Sequence, residues 1–440
     1  MLNPENEYPR TRLDALAAID PESLPLSTSP RFSFKYIDIS AVAEGKLTIP
    51  SSTVEYAEAP SRARRVLRDR DVIMSTVRPN LKAFAHCRLD DEAYVASTGF
   101  AVLRAREDIV PYFLLCSILS DDVTRQLERL AVGSNYPAVN SSDVRRLLVP
   151  DLPAAMQARI AAILTSIDTV IEKTEALIAK YQQIKAGLMH DLFTRGVLPN
   201  GQLRLPREQA PERYQETAIG WIPKEWRIEN LEVALESIAD GPFGSNLKTE
   251  HYVVAAGVEV VRLQNVEAYE YDDSDKAYVS NRHATSLARN KVVGGDVLIA
   301  GLGDERYAVG RACCYPIHFP PAINKADCFR ARCNPAEMRN KFLMLFLNAE
   351  LARRQMRRFE QGVTRPRINT GNLKRVLACI PKLDEQDSII AKFEVAQKAV
   401  QTQVASASAL KMQKAGLMQG LLTGKVPVKA NSGSSETADG

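Results

Sequence analysis

The 440-residue sequence lacks the motifs that mark nucleotide-driven, methyl-transferring and membrane proteins. It has no G-x-x-x-x-G-K-S/T phosphate loop, no Asn/Asp-Pro-Pro-aromatic tetrapeptide and no glycine-rich cofactor loop between a strand and a helix. No uninterrupted apolar run approaches the roughly 20 residues needed to cross a bilayer, and the first residues lack the basic-then-apolar order of a secretory signal. We therefore expect a cytoplasmic chain with no membrane partner, and we expect ATP-driven motor activity and methylation chemistry to reside in other chains.

Cysteine and net charge are also sparse. The seven cysteines are an odd number without regular spacing, which is typical of reduced thiols, and the net charge is only +4. The densest group lacks the paired spacing of a zinc site, so we expect no metal there; it comprises Cys313, Cys314, His318, Cys328 and Cys333. Arginines nevertheless cluster in two segments, Arg62–Arg70 and Arg353–Arg367, as on a nucleic-acid-binding surface.

The sequence repeats itself once. The segment KAGLM begins at Lys185 and again at Lys414, and the difference in numbering is 414 − 185 = 229. The same shift aligns five further pairs: Phe113 with Phe342, Gly133 with Gly362, Pro137 with Pro366, Asn140 with Asn369, and Gln157 with Gln386. Upstream, Asp71-Val72 matches Asp296-Val297 at a shift of 225. A solenoid repeats every ~20 to 50 residues, so this spacing predicts a domain duplication instead.

Two proline-free segments predict long helices. Residues 154–193 carry apolar side chains at alternating steps of three and four, and residues 385–422 carry a poorer, alanine-rich series. At ~1.5 Å per residue each helix would be about 60 Å long. We predict that they pair as an antiparallel coiled coil; the alternative is that each merely covers the sheet of its own domain.

The repeat and the helices predict an α+β fold with two globular domains related by internal duplication, each followed by a long α-helix. The expected boundaries are residues 1–150 and 218–382 for the domains, 151–193 and 383–424 for the helices, 194–217 for an extended linker and 425–440 for a disordered tail. The linker is rich in proline, arginine and glutamine, and the tail from Lys429 has no apolar residue able to anchor it.

Three loops carry residue types that contact DNA. Glycines in the loop 240–248, DGPFGSNLK, would let backbone N–H groups approach a phosphate. The loop 361–369, QGVTRPRIN, parallels 132–140, VGSNYPAVN: glycine, proline and asparagine are kept while the side chains between them change. That is expected of equivalent loops that recognise different bases. The loop 75–82, STVRPNLK, follows a predicted strand and could neutralise phosphates.

The candidate DNA-binding residues lie in these loops. They are Gly241, Phe243, Gly244, Ser245, Asn246, Lys248, Thr364, Arg365, Arg367, Asn369, Ser134, Asn135, Tyr136, Arg78, Asn80 and Lys82. For each loop, an ordinary glycine turn or a solvated basic surface is the alternative interpretation.

Taken in order, the motifs resemble the specificity subunits of type I restriction-modification enzymes over nearly the whole chain. In the second half the resemblance rests on GWIPKEW from Gly220, GPFGSNLK from Gly241, GDVLIA from Gly295, TRPRIN from Thr364, IPKLDEQ from Ile380 and GLMQGLLTGKV from Gly416. In the first half it rests on STVRPN from Ser75, KAGLM from Lys185 and TRGV from Thr194. The first half departs from the family in lacking the glycine loop and in carrying PAAMQ from Pro153 where Pro-Leu-x-Glu-Gln is commoner.

The resemblance implies two target-recognition domains, each reading one half of a split site in double-stranded DNA, with the helices setting the spacer. It also implies two methyltransferase subunits acting on adenine and restriction subunits as partners. S-adenosylmethionine, ATP and magnesium would be bound by those partners, and this chain would hold no cofactor. Two rival hypotheses are a DNA methyltransferase or nuclease with an unrecognised active site, and an adaptor whose helices bind protein only.

Overall fold

The computed structural model describes residues 8–43, 45–133, 136–254 and 257–428. The chain forms two compact units. The first unit comprises residues 1–176 and 404–440, and the second comprises residues 177–403. Two of the predicted DNA-binding residues, Ser134 and Asn135, lie outside the described residues, as does the predicted tail from Lys429 onward.

The described residues of the first unit form twelve short strands and four short helices, together with parts of two long helices. Its strands are Arg10–Arg12 (β1), Ala17–Ile19 (β2), Ser33–Ile37 (β3), Val42–Ala43 (β4), Lys46–Leu47 (β5), Val54–Glu55 (β6), Ala63–Leu67 (β7), Val72–Ser75 (β8), Phe84–His86 (β9), Tyr94–Ser97 (β10), Phe100–Ala105 (β11) and Leu148–Pro150 (β12). Its short helices are Leu13–Leu16 (α1), Pro111–Leu119 (α2), Asp121–Leu130 (α3) and Ser141–Arg146 (α4), and the first long helix is Ala154–Thr194 (α5).

The second unit has a similar inventory. Its strands are Tyr214–Thr217 (β13), Gly220–Pro223 (β14), Arg227–Asn230 (β15), Leu235–Ala239 (β16), Tyr252–Val253 (β17), Val258–Val261 (β18), Tyr278–Val279 (β19), Lys291–Val292 (β20), Val297–Ala300 (β21), Ala312–Cys314 (β22), Ala322–Asn324 (β23), Cys328–Cys333 (β24) and Leu377–Ile380 (β25). Its helices are Leu231–Ala234 (α6), Asn281–Ser286 (α7), Asn340–Asn348 (α8), Glu350–Phe359 (α9), Thr370–Lys374 (α10) and the second long helix, Leu383–Thr423 (α11).

Each unit is built on a four-stranded antiparallel sheet with the same strand order. The order is β2-β11-β8-β9 in the first unit and β16-β24-β21-β22 in the second. Successive side chains of the central strand alternate between two cores, as a strand requires: Val72 and Met74 pack with the helices, whereas Ile73 packs toward the other sheet. In the second unit Ile299 and Leu298 divide in the same way.

Each unit also has a second larger sheet, besides two-stranded sheets formed by β1-β12 and β4-β5 in the first unit and by β13-β14 and β15-β25 in the second. This second larger sheet has the order β6-β3-β10-β7 in the first unit and β17-β19-β18-β23-β20 in the second. Each contains one parallel pair, β3 with β10 and β18 with β23, followed by an antiparallel partner, β7 or β20. The described parts of both units therefore have a mixed helix and sheet fold, as the sequence predicts.

The long helices α5 and α11 each span 41 residues. The first begins at Ala154, three residues later than predicted, because Pro153 precedes it and its carbonyl accepts the first N–H groups of the helix. Within the first unit, Lys414 pairs with Asp168 at 2.6 Å and Lys411 pairs with Glu175 at 3.0 Å. Within the second unit, Lys185 donates to the Gln397 amide oxygen at 2.8 Å. The two helices thus contact each other in both units.

One helix of the described chain, α5, is long and apolar enough to cross a membrane by length and composition alone, with a mean hydropathy of 1.3 over its most apolar window. The sequence expectation considered only uninterrupted apolar residues, whereas this window includes interspersed polar side chains. In the first unit, Ile160 and Leu164 of α5 are buried in one cluster with Leu421 and Leu422 of α11. Part of that apolar face therefore packs against protein, and 28% of the window is buried.

The segment predicted as an extended linker, 194–217, instead packs within the second unit. Val197 and Tyr214 are buried in it, and strand β13 begins at Tyr214. The Arg204 side chain is only 5% exposed, and it pairs with Glu385 and with Glu225. A buried arginine needs such partners because desolvation of an unpaired charge is costly. The proline content prevents a long helix here but does not keep the segment in solvent.

A buried glutamine at the start of each long helix fastens it to its domain. The Gln386 side-chain oxygen accepts from the Arg339 N–H at 2.8 Å, and its amide donates to the carbonyls of Pro381 and Glu337, each at 2.9 Å. Gln157 accepts from the Val110 N–H at 3.0 Å and donates to the Leu152 carbonyl at 2.7 Å. Val110 and Arg339 precede the first turns of α2 and α8, so the glutamine satisfies backbone groups that helix formation leaves open.

We expect Gln386→Leu to lower the free energy of unfolding of the second unit by about 2 kcal/mol or more, because it leaves buried backbone groups without partners. Urea unfolding followed by circular dichroism measures the change. Gln413→Leu, at an exposed position of the same helix, is the matched control and should leave the stability within about 0.5 kcal/mol of the parent. Equal stability of the two variants would contradict the fastening role.

Candidate nucleic-acid interface

Three loops of the second unit meet at one end of its main sheet. They are 240–248, which follows β16, 301–310, which joins β21 to β22, and 361–369, which joins α9 to α10. The Gly303 N–H donates to the Pro366 carbonyl at 2.9 Å, and the Ile368 N–H donates to the Gly301 carbonyl at 2.9 Å. Backbone hydrogen bonds therefore hold the last two loops together.

Arg367 connects the first loop to the third. Its guanidinium lies 5.6 Å from the centre of the Phe243 ring and pairs with Asp327 at 2.5 Å. The Asp327 N–H in turn donates to the Asp240 carboxylate at 3.0 Å, and the Gly241 N–H donates to the same oxygen at 2.7 Å. Two loops that are distant in sequence are thus joined through one arginine.

The Asp240 carboxylate lies at the base of this cluster. Burial raises its pKa from 3.8 to about 6, against the opposing effect of the two N–H groups that donate to it. Arg367 also favours the charged form, while the neighbouring Asp327 disfavours it. The carboxylate is therefore much easier to protonate than an exposed aspartate.

The other two loop tips carry exposed arginines. Arg365 and Thr364 are exposed, and Arg306 is exposed on the loop 301–310. Asp304 accepts from the N–H groups of Arg306 and Tyr307, which lower its pKa and fix the turn that carries Arg306. Such tips offer arginine to base edges or phosphates.

Sequence reasoning missed the loop 301–310. Its anchor is Arg311, which is 6% exposed and donates to the carbonyls of Val266 and Leu263 at 2.6 and 3.0 Å. The signal was present, because the shift of 225 that aligns the preceding strands also aligns Gly301 with Thr76, the second residue of the predicted loop 75–82.

The first unit repeats the backbone joint between its corresponding loops. The Arg78 N–H donates to the Pro137 carbonyl at 2.7 Å, and the Val139 N–H donates to the Thr76 carbonyl at 2.9 Å. Under the two shifts found in the sequence, 225 and 229, these are the positions of Gly303 with Pro366 and of Ile368 with Gly301. The two units thus share a loop scaffold and differ in the side chains mounted on it.

Arg78 and Tyr136 form the exposed tip of the first unit. The Arg78 guanidinium lies 4.5 Å from the centre of the Tyr136 ring, and Arg78 has the left-handed backbone conformation, φ 47°, that non-glycine residues rarely adopt. Asn80 is exposed two residues later. A stacked arginine is held away from the surface and can present its edge to a base or phosphate.

Besides Arg367, three of the predicted DNA-binding residues have internal roles in the structure. A Cβ atom on Gly241 would lie 1.9 Å from the Lys325 carbonyl carbon, so the glycine serves close backbone packing. Lys82 donates to the Leu119 carbonyl at 3.1 Å and pairs with Asp121. The Asn369 side chain accepts from the Asn372 N–H and caps α10. Nearby backbone groups therefore already engage these three residues.

The remaining predicted residues lie on the loop 240–248. Gly244, Ser245 and Asn246 form an exposed 3-10 turn, and the Asn246 carbonyl oxygen is 2.9 Å from His283 Nε2. Lys248 is exposed and lies 3.8 Å from Glu250. These groups are accessible, as a role in DNA contact requires.

Fewer arginines of the two sequence clusters are accessible for DNA contact than the sequence suggests. Arg65 pairs with Asp20, and Arg68 pairs with Glu22, each near 3 Å. Arg353 packs within the second unit, where burial lowers its pKa to about 10. Clustering along the sequence does not distinguish these internal ion pairs from a solvated basic surface.

The cysteines are free thiols, six of them buried. Burial raises the pKa of Cys116 and of Cys379 to about 12. Within residues 8–43, 45–133, 136–254 and 257–428, no group of three or more His, Cys, Asp or Glu side chains has an arrangement that could hold a metal ion.

We expect Asp240→Asn to stabilise the protein above pH 6, by about 1 kcal/mol after allowance for partial exposure. The folded state binds the Asp240 proton more tightly than the unfolded state, so ionisation costs stability as the pH rises from about 4 to about 6. Asparagine keeps the accepting oxygen without the charge. The gain should vanish near pH 4, where both side chains are neutral.

Urea unfolding across this pH range measures the effect, with Asp304→Asn as the control of opposite sign. The Asp304 pKa is lowered, so that substitution should reduce stability at neutral pH. If the stability of Asp240→Asn changed with pH in parallel with that of the parent, ionisation of Asp240 would not destabilise the folded protein as proposed.

Comparison with known proteins gives a consistent result. No family model matches the chain. It is 22% identical over 300 residues to the MjaVIII specificity subunit of a type I restriction enzyme from Methanocaldococcus jannaschii, a match covering 68% of this chain and 66% of that protein. The match therefore spans just under two thirds of the relative.

Two solved structures share the fold. One, from a study of complex assembly and conformational transition of the type I R-M system, matches with a TM-score of 0.60 and 24% identity over 97% of this chain and 100% of that chain. The other is the type I restriction-modification S subunit from M. genitalium, with a TM-score of 0.53 and 13% identity over 96% of this chain and 98% of that chain. The chain is thus similar, in sequence and in fold, to the specificity subunits of type I restriction enzymes, as its motifs predict.

Proposed function

We propose that this chain is a non-catalytic DNA-reading subunit that directs adenine methylation and restriction by partner subunits to a bipartite site. The observation that carries the proposal is the paired loop scaffold. Both units hold their loops with the same backbone hydrogen bonds but expose different tips, Arg78 and Tyr136 in one and Arg306 and Arg365 in the other. Two similarly held pairs of loops that expose different side chains are suited to a split site whose halves differ in sequence.

The chemistry of the tips fits double-stranded DNA. Arginine can donate two hydrogen bonds to guanine in the major groove, and asparagine can donate one hydrogen bond to adenine N7 while accepting one from the N6 amino group. Exposed serine, asparagine and lysine on the loop 240–248 suit phosphate contacts, which set orientation without reading sequence. Arg367 acts by holding that loop against its neighbour through Phe243 and Asp327.

The long helices would form an antiparallel coiled coil that sets the spacer between the half-sites. Three contacts support this pairing: Asp168 with Lys414, Glu175 with Lys411, and Lys185 with Gln397. Along the three, residue numbers rise on one helix as they fall on the other, as antiparallel pairing requires. The duplicated units would be the two target-recognition domains.

The remaining partners follow from the similarity to specificity subunits. Two methyltransferase subunits and restriction subunits would bind this chain in the cytoplasm and supply S-adenosylmethionine, ATP and magnesium chemistry. This chain would contribute the DNA contacts and the geometry.

Co-expression with the candidate methyltransferase partner, followed by mapping of methylated adenines across the genome, tests the function. A split motif with a fixed gap that disappears when this chain is omitted is the expected result. Methylation whose sequence pattern is unchanged without the chain would refute the reading role and favour an adaptor.

We expect Arg365→Ala to weaken binding to the target by about tenfold to a hundredfold, as the loss of about 1 to 3 kcal/mol for a base contact predicts. Base preference should relax in one half-site only, and Arg78→Ala should relax the other. Competition binding at fixed salt concentration and repeated methylation mapping measure both effects.

Arg354→Ala is the matched control, since it removes an exposed arginine whose acidic neighbour, Glu350, lies on the same helix. An equal loss of affinity for every DNA sequence would assign Arg365 to phosphate contact instead of base recognition.

Insertion of one heptad into each long helix, after Ala176 and after Gln403, should lengthen the spacer and leave both half-sites unchanged. Seven residues add about 10.5 Å, or about three base pairs at ~3.4 Å each. Methylation mapping measures the gap. The same heptad inserted in the tail after Ala430 is the control, and an unaltered gap in the helix variant would refute the spacer role.

A further inference from the structure

The first unit contains a cavity of about 710 Å³ between its domain and the long helices. The domain contributes Lys46, Leu81, His86 and Tyr112, among others, while Asp168 and Lys414 line it from α5 and α11. Five Lys or Arg side chains and two carboxylates line the cavity. The space is therefore partly apolar. Each of the four lysines already pairs with a carboxylate, Lys46 and Lys411 with Glu175, Lys82 with Asp121 and Lys414 with Asp168, so Arg88 is the lining cation without an ion pair among the described residues.

His86 is the most unusual of these groups. Its Nε2 atom is buried and has no hydrogen-bond partner in the described part of the protein, although its ring lies 6.3 Å from that of Tyr112. Burial lowers the pKa of His86, with Arg88 adding to the effect. A neutral imidazole with an open ring nitrogen can donate or accept a single hydrogen bond according to its tautomer.

The second unit shows which side chain occupies the equivalent space beside its own long helices. Lys185 and Gln397 of that unit correspond to Lys414 and Asp168, since 414 − 185 and 397 − 168 both equal 229. In the second unit the Tyr269 ring fills the space beside them: it lies 5.0 Å from the Phe393 ring, and the Lys185 ammonium lies 4.8 Å from its centre. The space beside Lys414 is open in the first unit and filled by an aromatic ring in the second.

Glu270, the residue after Tyr269, places a negative charge next to the aromatic ring. The Glu270 carboxylate accepts from the side-chain amides of Gln397 and Gln401 on α11. Gln401 corresponds to Glu172 of the first unit, because 401 − 172 equals 229. There Lys46 of the β4-β5 hairpin reaches the helix instead, 2.9 Å from Glu175 and 3.9 Å from Glu172. The hairpin touches the helix with a long polar side chain and supplies no aromatic ring. The aromatic side chain nearest the helix there is Tyr112 of α2, whose hydroxyl donates to the Asp168 carboxylate at one side of the cavity.

The two units differ here because the equivalent strands, β22 and β9, carry different residues at the position that contacts Tyr269. In the second unit the Tyr269 N–H donates to the carbonyl of Ala312 on β22 at 2.9 Å. The strand register places Phe84 at the corresponding position of β9, since Met74 pairs with Phe84 as Ile299 pairs with Ala312. Phe84 is fully buried in the core of the first unit. That unit has no counterpart of the Tyr269 contact among its described residues.

We propose that this cavity in the first unit is a docking site for an aromatic side chain, next to an acidic one, on a segment of a partner protein. The ring would take the place that Tyr269 has in the second unit, against Leu115 and Met418 and beside Lys414. The ring would also lie near His86, which lines the cavity. The acidic neighbour would pair with Arg88, which lines the cavity and has no ion pair among the described residues. This site is separate from the loops proposed to contact DNA.

The test uses the full chain with its methionine methyl groups labelled for NMR. The probe is the acetylated and amidated peptide Glu-Ala-Tyr-Glu, the sequence of residues 267–270, and the control peptide replaces tyrosine with alanine. We expect saturable shifts of the Met418 signal but not of Met412, which is exposed on the same helix and does not line the cavity. A dissociation constant of about 1 mM is within reach of one buried ring and one ion pair.

Two substitutions locate the binding. Thr165→Trp fills the cavity and should abolish the Met418 shift, whereas Ser166→Trp, exposed on the next position of α5, should preserve it. Lys414→Gln should weaken binding about tenfold, and the melting temperature of each variant reports whether it folds.

Three results would overturn the proposal. They are no Met418 shift with about 5 mM peptide, several times the expected dissociation constant, equal binding of the alanine peptide, or binding that persists in the folded Thr165→Trp variant. Equal binding of free glutamate would assign the cavity to a small anion instead. DNA reading could fail its own test without affecting any of these results.

Discussion

The structure depends on one interaction that occurs twice: a buried glutamine in the first turn of each long helix. Gln157 and Gln386 each bridge backbone groups of their own domain, so that the helix leaves the domain from a fixed position. A flexible junction would let the helix swing, and contacts between α5 and α11 would lose their register. The neighbouring residues have diverged, from PAAMQ to KLDEQ, while the glutamine is present in both halves.

The loops are also held by the same interactions in both units. Backbone hydrogen bonds between the loop after β8 or β21 and the loop before α4 or α10 need no particular side chain, so the tips can vary without loss of the joint. Arg78 stacks on Tyr136 in one unit, whereas the corresponding loop of the other unit exposes Arg365. Because backbone groups hold the loops together, the side chains at the loop tips can change, and with them the DNA sequence that is recognised.

Much of this could be predicted from the sequence, because periodicity and repetition are local signals. The two long helices were predicted within three residues at each end, and the shift that defines the repeat aligned loops that prove to share hydrogen bonds. The internal roles of Lys82, Asn369 and Gly241 could not be predicted, since each depends on backbone groups that only tertiary folding brings near. The packing of the 194–217 segment was missed for the same reason: its composition is that of a linker, but Arg204 finds its partner Glu385 far along the chain.

The division between the units passes through the middle of both long helices, and this has a consequence for the order in which the protein is made. The second unit is a continuous stretch, residues 177–403, and its core can close as soon as that stretch has left the ribosome. The first unit is synthesised earlier but lacks part of its core, because Leu421 and Leu422 pack with Phe113 and Ile160. The domain that is translated first is therefore completed last.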